Sequence, residues 1–131
     1  MSHSDSAVAN PTKDETRAHP VATAWRPVLS EIVRVFAQGD YGLSKPLPGV
    51  DALPKRTAEQ IRAYVGSCGA TLVELPAESW ETSLAQWMGD HWEVLVDLWT
   101  KEEGRSDLVL SLKVAEIGGE PRFSVRSVHV P

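Results

Sequence analysis

From His91 to Val114 the sequence is patterned for two strands. In "HWEVLVDLW", Trp92, Val94, Val96 and Leu98 fall on one face, and in "DLVLSLKV", Leu108, Leu110, Leu112 and Val114 do the same. Side chains of an extended chain point alternately to opposite faces, so a period of two with one apolar set marks a strand covered on one side. The tight turn Ile117-Gly118-Gly119-Glu120 sends the chain back again, setting Phe123 opposite Val114 and Val125 opposite Leu112. The parity then changes, because Val128 and Val130 follow a polar Ser127. One extra residue near Arg126-Ser127 restores the alternation and bends the strand. Such a chain builds a curved antiparallel meander whose apolar face needs helices to cover it.

Two segments can supply them. Trp25, Val28, Leu29, Ile32, Val33 and Phe36 have the spacing of one helical stripe, with Pro27 in the first turn and Gly39 as the stop. A second helix is expected from Thr57, where Thr57-x-x-Gln60 has capping-box spacing. Ile61, Tyr64, Val65 and Cys68 form its apolar face, which makes Cys68 a buried, inert thiol, and Gly69 ends it. Residues 40–56 hold Gly42, Pro46, Pro48, Gly49 and Pro54, a long connection that serves either as a lid or as a cover laying Leu47, Val50 and Leu53 over the core edge. Thr71 to Leu75 reads as a strand or an extended connector. Residues 76–88 have helical spacing at Trp80, Leu84, Trp87 and Met88. The hairpin signal Gly89-Asp90 instead favours a short helical turn near Glu78, then a strand from about Ser83 that pairs Trp87 with Trp92.

The fold class expected is α+β, with two to three helices packed on a curved antiparallel sheet of three to four strands. In outline this resembles cystatin-like or nuclear-transport-factor-like folds, an analogy of shape alone. Residues 1–23, rich in Ser, Asp, Thr, Pro and His, are expected to be a mobile N-terminal tail, because they bury too little to offset their ordering entropy. Residues 24–131 then form a single domain.

A chain of 131 residues buries about two-thirds of its unfolded surface and needs neither metal nor disulfide to fold. Cys68 is the single cysteine, so a reducing compartment, the cytoplasm, is expected. The N-terminus has no basic start followed by an apolar run, and no apolar run is long enough to span a bilayer; neither a signal peptide nor a membrane role is expected. A net charge of −5 argues against nucleic-acid binding, which calls for a basic stripe, and fits a basic protein partner as well as ordinary solubility. There is no HExxH, CxxC or GxSxG motif, and His3, His19, His91 and His129 lack ligand spacing. Glu93 and Asp97 share a strand face roughly 13 Å apart at about 3.3 Å per residue, too far for a glycosidase pair. No catalytic residue, metal or cofactor is expected, and the chain is not expected to be an enzyme.

Two surfaces are candidates for binding. The first is the hairpin "LWTKEEGRSDL". With Leu98 and Leu108 on one face, Trp99 falls opposite Asp107 across a loop from Thr100 to Ser106. Gly104 supplies a positive φ, Arg105 pairs with Glu102 or Glu103, and Ser106 or Asp107 bonds loop amides. Those roles suit a polar hairpin tip. The same residues suit a docking surface, and a self-neutralised carboxylate cluster suits a reaction centre least. The second surface is the outward sheet face, where Glu93 lies beside Lys113, and Leu95, Trp99 and Val109 are more apolar than a solvated face requires.

The stretch "WETSLAQWMGDHWEVLVDLWTKEEGRSDLVLSLKV", closing on "VHVP", resembles a bacterial family of small domains of unknown function. Its mark is W-x-V-x-V-D-L-W-T followed by E-E-G-R-S-D-L, and the resemblance covers residues 57–131. It implies no activity and no catalytic residue. More loosely, short acidic standalone domains of this kind resemble immunity proteins of bacterial toxin systems, which implies a basic toxin as partner. On that reading Leu95 and Trp99 anchor the contact, while Asp97, Glu102, Glu103, Arg105 and Asp107 provide its charged part. The alternative is a small-molecule-binding or enzymatic domain using a cavity between the curved sheet and its helices, with Tyr41, Tyr64, Trp80 and His129 as lining groups.

Overall fold

The structure, a computed structural model, describes residues 8–131. Its elements are β1 (His19–Pro20), α1 (Arg26–Ala37), α2 (Lys55–Ser67), β2 (Leu84–Trp87), β3 (Trp92–Thr100), β4 (Gly104–Ile117) and β5 (Glu120–His129). The strands form one antiparallel sheet in sequence order. The class is therefore α+β, with two helices and a sheet of five strands rather than three to four.

The additional strand, β1, belongs to the segment expected to be a tail. Composition hid it because its hold is polar. His19 and Pro20 pair with Ala85 and Leu84, and Val21 and Ala22 just beyond are buried. Upstream, backbone carbonyls do the anchoring: Trp92 Nε1 donates to Thr12 O at 3.1 Å, and Gln86 Nε2 donates to Asp14 O at 3.0 Å. Lys13 Nζ lies 5.0 Å from the Trp87 ring centroid and 2.9 Å from Glu116. From Ala9, whose carbonyl accepts from Thr23 N–H at 2.8 Å, the segment is a strap on the domain rather than a free tail. Residues 1–7 of the expected tail lie outside the described residues.

α1 forms as its stripe requires. Leu29, Ile32, Val33 and Phe36 are fully buried against the sheet, Pro27 occupies the first turn, and Gly39 at φ 90° ends the run. α2 differs from expectation at both ends. It starts at Lys55 with Pro54 as N-cap and no side-chain cap, and Gln60 instead donates to Val128 O at 2.9 Å, across to β5. Cys68 is the C-cap and is exposed, because the helix ends before its stripe returns to the sheet. Of the two readings of residues 76–88, a 3-10 turn at Ala77–Glu81 followed by β2 is the one observed, with Trp87 paired to Trp92.

The concave side is filled. Trp25, at the head of α1, meets Trp92 edge-on at 5.0 Å and Phe123 at 6.2 Å, and Trp87 packs on Trp92 at 4.5 Å. The long connection acts as a cover: Leu47, Val50 and Leu53 pack on the core, and Val50 bridges to Phe123 of β5. Strand edges are closed in the same manner. Residues 71–73 pair with β3 beyond the end of β2, through Val73 N–H to Trp99 O at 3.1 Å and Lys101 N–H to Thr71 O at 2.9 Å. In the gap between, Ser79 Oγ donates to Asp97 O at 2.7 Å and Ser83 Oγ accepts from Asp97 N–H at 3.0 Å, so two buried hydroxyls replace a neighbouring strand.

Because Trp25 fills the junction of helix and sheet, Trp25→Ala is expected to lower stability by about 3–5 kcal/mol. Urea denaturation followed by far-UV circular dichroism reads this as a lower midpoint; an unchanged midpoint contradicts the packing described.

Candidate functional site

The sheet's register decides which side chains meet on its outward face. Across neighbouring strands, Gln86, Glu93, Lys113 and Ser124 form one row, and Leu84, Leu95, Ser111 and Ser127 form the next. Asp97, Val109 and His129 form a third. The expected neighbours Glu93–Lys113, Phe123–Val114 and Val125–Leu112 are all observed, and the extra residue of β5 is Arg126, where the bulge was expected. Leu84 and Leu95 stand directly opposite each other at 43% and 40% exposure, whereas Val109, although outward, is only 7% exposed. Glu93 and Lys113, direct neighbours, make no ion pair with each other or with any other described residue.

One end of the face is edged by a loop contact. Asp51, from the connection before α2, pairs with Arg122 at 2.6 Å and accepts from Ser124 Oγ. Those two partners, the Ser124 hydroxyl first, hold its carboxyl below the usual aspartate range against a smaller opposing effect of burial.

The β3–β4 hairpin is shorter than its sequence suggests. Trp99 pairs with Arg105, not Asp107, and Thr100 pairs with Gly104, leaving Lys101–Glu103 as the loop. Both apolar series still face inward because the register slips by two between Asp97 and Trp99, and Ser106 and Asp107 are absorbed as a bulge in β4. Ser106 Oγ stabilises it by accepting from Leu108 N–H at 3.0 Å. Gly104, at φ 73°, lies under the Trp99 ring, where an added Cβ would sit 3.8 Å from the indole.

Trp99 is thus half-buried against its own hairpin, with its indole N–H buried and without a partner. Asp97 is tied to the 3-10 arch through Thr82 Oγ1. Glu102 accepts from Thr71 N–H at 2.8 Å and from Thr71 Oγ1 at 2.7 Å, and these bonds, the backbone one first, hold its carboxyl below the usual glutamate range. Glu103, Arg105 and Asp107 remain exposed, and Arg105 forms no ion pair among the described residues, contrary to the pairing with Glu102 or Glu103 read from sequence.

The bulge brings most of these groups together. Asp97, Arg105, Ser106 and Asp107 line an open hollow of about 430 Å³ with Val130 and Pro131. Glu102, Glu103, Ser106 and Asp107 line a second, of about 310 Å³, beside Cys68 and Gly69 at the end of α2. Leu95 is away from both. Leu84 was not among the residues singled out from sequence, because its helical spacing with Trp80 and Trp87 concealed its place on the outward face. Tyr41, Tyr64, Trp80 and His129 do not converge. Tyr41 packs on Phe36, Tyr64 Oη accepts from Val130 N–H, Trp80 faces Arg26, and His129 bonds Ser127. Among the described residues no group of His, Cys, Asp and Glu is placed to hold a metal ion, and no helix is long and apolar enough to cross a membrane.

The model of a family described as a domain of unknown function (DUF7668) matches residues 33–131. The chain belongs to that family. The match takes in α2 and β2 to β5 entirely and most of α1, more than the 57–131 read from the hairpin signature, and leaves the strap and β1 outside. No curated protein and no solved structure matches the chain.

The Glu102–Thr71 contact has a pH signature. A carboxylate with a depressed folded-state pKa contributes stability above its unfolded value, and that contribution is lost as pH falls through the folded value. The Glu102 carboxyl, followed by carbon NMR, is expected to titrate with a midpoint below the ordinary 4.5, with the Thr71 amide shift moving in step. A midpoint at or above 4.5 contradicts the contact.

Proposed function

We propose that the chain is a protein-docking domain whose contact surface is the outward face of the sheet, extended by the β3–β4 hairpin end. The observation that carries this reading is the exposed Leu84–Leu95 pair in the middle of a sheet whose other face is already filled. An apolar pair flanked by charged and hydroxyl side chains is the arrangement protein interfaces use, the apolar centre supplying desolvation and the polar rim orientation. On this reading Leu95 and Leu84 are anchors. Glu103, Arg105 and Asp107 are rim groups whose charges are free to meet a partner. Asp97, Glu102 and Trp99 shape the surface from beneath, because their polar or aromatic groups are engaged within the domain.

The chain's net charge of −5 and the exposed Glu103 and Asp107 favour a basic partner for the hairpin end, which is the form an immunity protein facing a bacterial toxin takes. A ligand-binding or enzymatic role in the concave space has less behind it. Trp25, Phe36, Trp92 and Phe123 occupy that space, and the hollows found are open and shallow.

The test compares the immobilised chain with two variants in capture of partners from the native cell at low and high salt. Leu95→Arg is expected to lose the captured partner with its circular dichroism unchanged. Glu103→Lys with Asp107→Lys is expected to weaken capture at low salt and flatten its salt dependence. Glu102 is left intact, since reversing it would also release Thr71. Equal recovery by all three proteins contradicts the reading.

A further inference from the structure

We infer that the outward face is built to take a second copy of this chain, face to face about a two-fold axis that runs along the strands between β3 and β4. The inference rests on the docking reading above and names the occupant. Its ground is the placement of charge on the face. A two-fold contact brings one patch against itself, so the patch must be complementary to its own image. Glu93 and Lys113 meet that condition: they are direct neighbours on β3 and β4, opposite in sign, and neither is paired within the chain. An axis between the two strands lays β3 of each copy over β4 of the other. Glu93 then sits over Lys113 of the second copy, and Lys113 over its Glu93, which gives two symmetric ion pairs. One row further, Leu95 of each copy lies over Ser111 of the other, and the two leucines flank the axis.

The other simple axis fails on charge. A two-fold running across the strands through Leu95 sets Glu93 over Asp97 of the second copy, carboxylate on carboxylate. Twisted sheets pack face to face at about −30°, so side chains stay in register only near the axis. That is where Glu93, Leu95, Ser111 and Lys113 are. Four strands at roughly 4.8 Å and about eight residues of length give a face of roughly 500 Å² per copy. The total, about 1,000 Å², is the lower limit of specific interfaces. The dimer is accordingly transient, with a dissociation constant on the order of tens of micromolar.

Sedimentation equilibrium on the full chain tests this with Glu93→Lys, Lys113→Glu, their equimolar mixture and Leu95→Arg, each checked for an unchanged thermal midpoint. The wild-type chain is expected to dimerise. Glu93→Lys presents two cations and Lys113→Glu two carboxylates, so each alone weakens association by about tenfold or more. In the mixture each variant finds the complementary face, and association returns to near the wild-type level. A wild-type chain that stays monomeric at several hundred micromolar overturns the inference. So do single variants that dimerise as well as wild type, or a mixture no tighter than its components. The two readings separate in the capture experiment. A monomeric wild-type chain whose captured partner is lost on Leu95→Arg removes the second copy and keeps the docking face. If Leu95→Arg changes neither association nor capture, both fall.

Discussion

Everything in this domain depends on one apolar contact, the stripe of α1 laid into the concave side of a twisted sheet. Trp25 stands where the helix begins, and its ring is held edge-on by Trp92 from β3 and Phe123 from β5. That contact brings the middle and far strands of the sheet onto one helix and leaves no room between them for a ligand. The curvature that makes it possible comes from inserted residues, Arg126 in β5 and the Ser106–Asp107 step in β4. A bulge adds twist and bend locally, so the same insertions that wrap the sheet around α1 also determine what its outward side presents.

The sheet is also closed along its margins. The strap and β1 cover the β2 side, residues 71–73 and two serine hydroxyls complete β3, and residues 49–51 with Gln60 of α2 guard β5. Open strand edges invite pairing with other chains, and here long irregular segments answer that hazard. With the concave side filled and these edges occupied, the broad face carrying Leu84 and Leu95 is the surface left for recognition. The charges there are arranged differently from those of the hairpin end. On the face Glu93 and Lys113 balance; at the hairpin Glu103 and Asp107 exceed Arg105.

Local pattern predicted what local physics controls. Period-two alternation gave β3 and β4 their inward faces, the Gly118-Gly119 turn set the register of Val114 with Phe123, and the parity break at Ser127 located the bulge. Partners distant in sequence were not readable. β1 is two residues long and is held by carbonyls that any composition would supply. Glu102 finds Thr71 across 31 residues, which turns an apparent docking carboxylate into a tether. The hairpin misled for a subtler reason: keeping both Leu98 and Leu108 inward is compatible with a straight register and with a two-residue slip. The capping box at Thr57 failed because Pro54 starts the helix earlier and Gln60 is drawn to β5. In the candidate site the sequence indicated Leu95 and the free charges of the hairpin, but not Leu84, whose exposure depends on a strand assignment the local pattern left open.

The claim that the outward face is where this domain meets other molecules is tested most directly by amide chemical shifts recorded over a dilution series of the isotope-labelled chain. The account predicts concentration-dependent shifts at Leu84, Glu93, Leu95, Ser111 and Lys113, with the amides of α1 unmoved. Shifts confined to the apolar groove between Val28, Pro48 and Ile117, the other open hollow of the molecule, or a spectrum unchanged at every concentration, would contradict it.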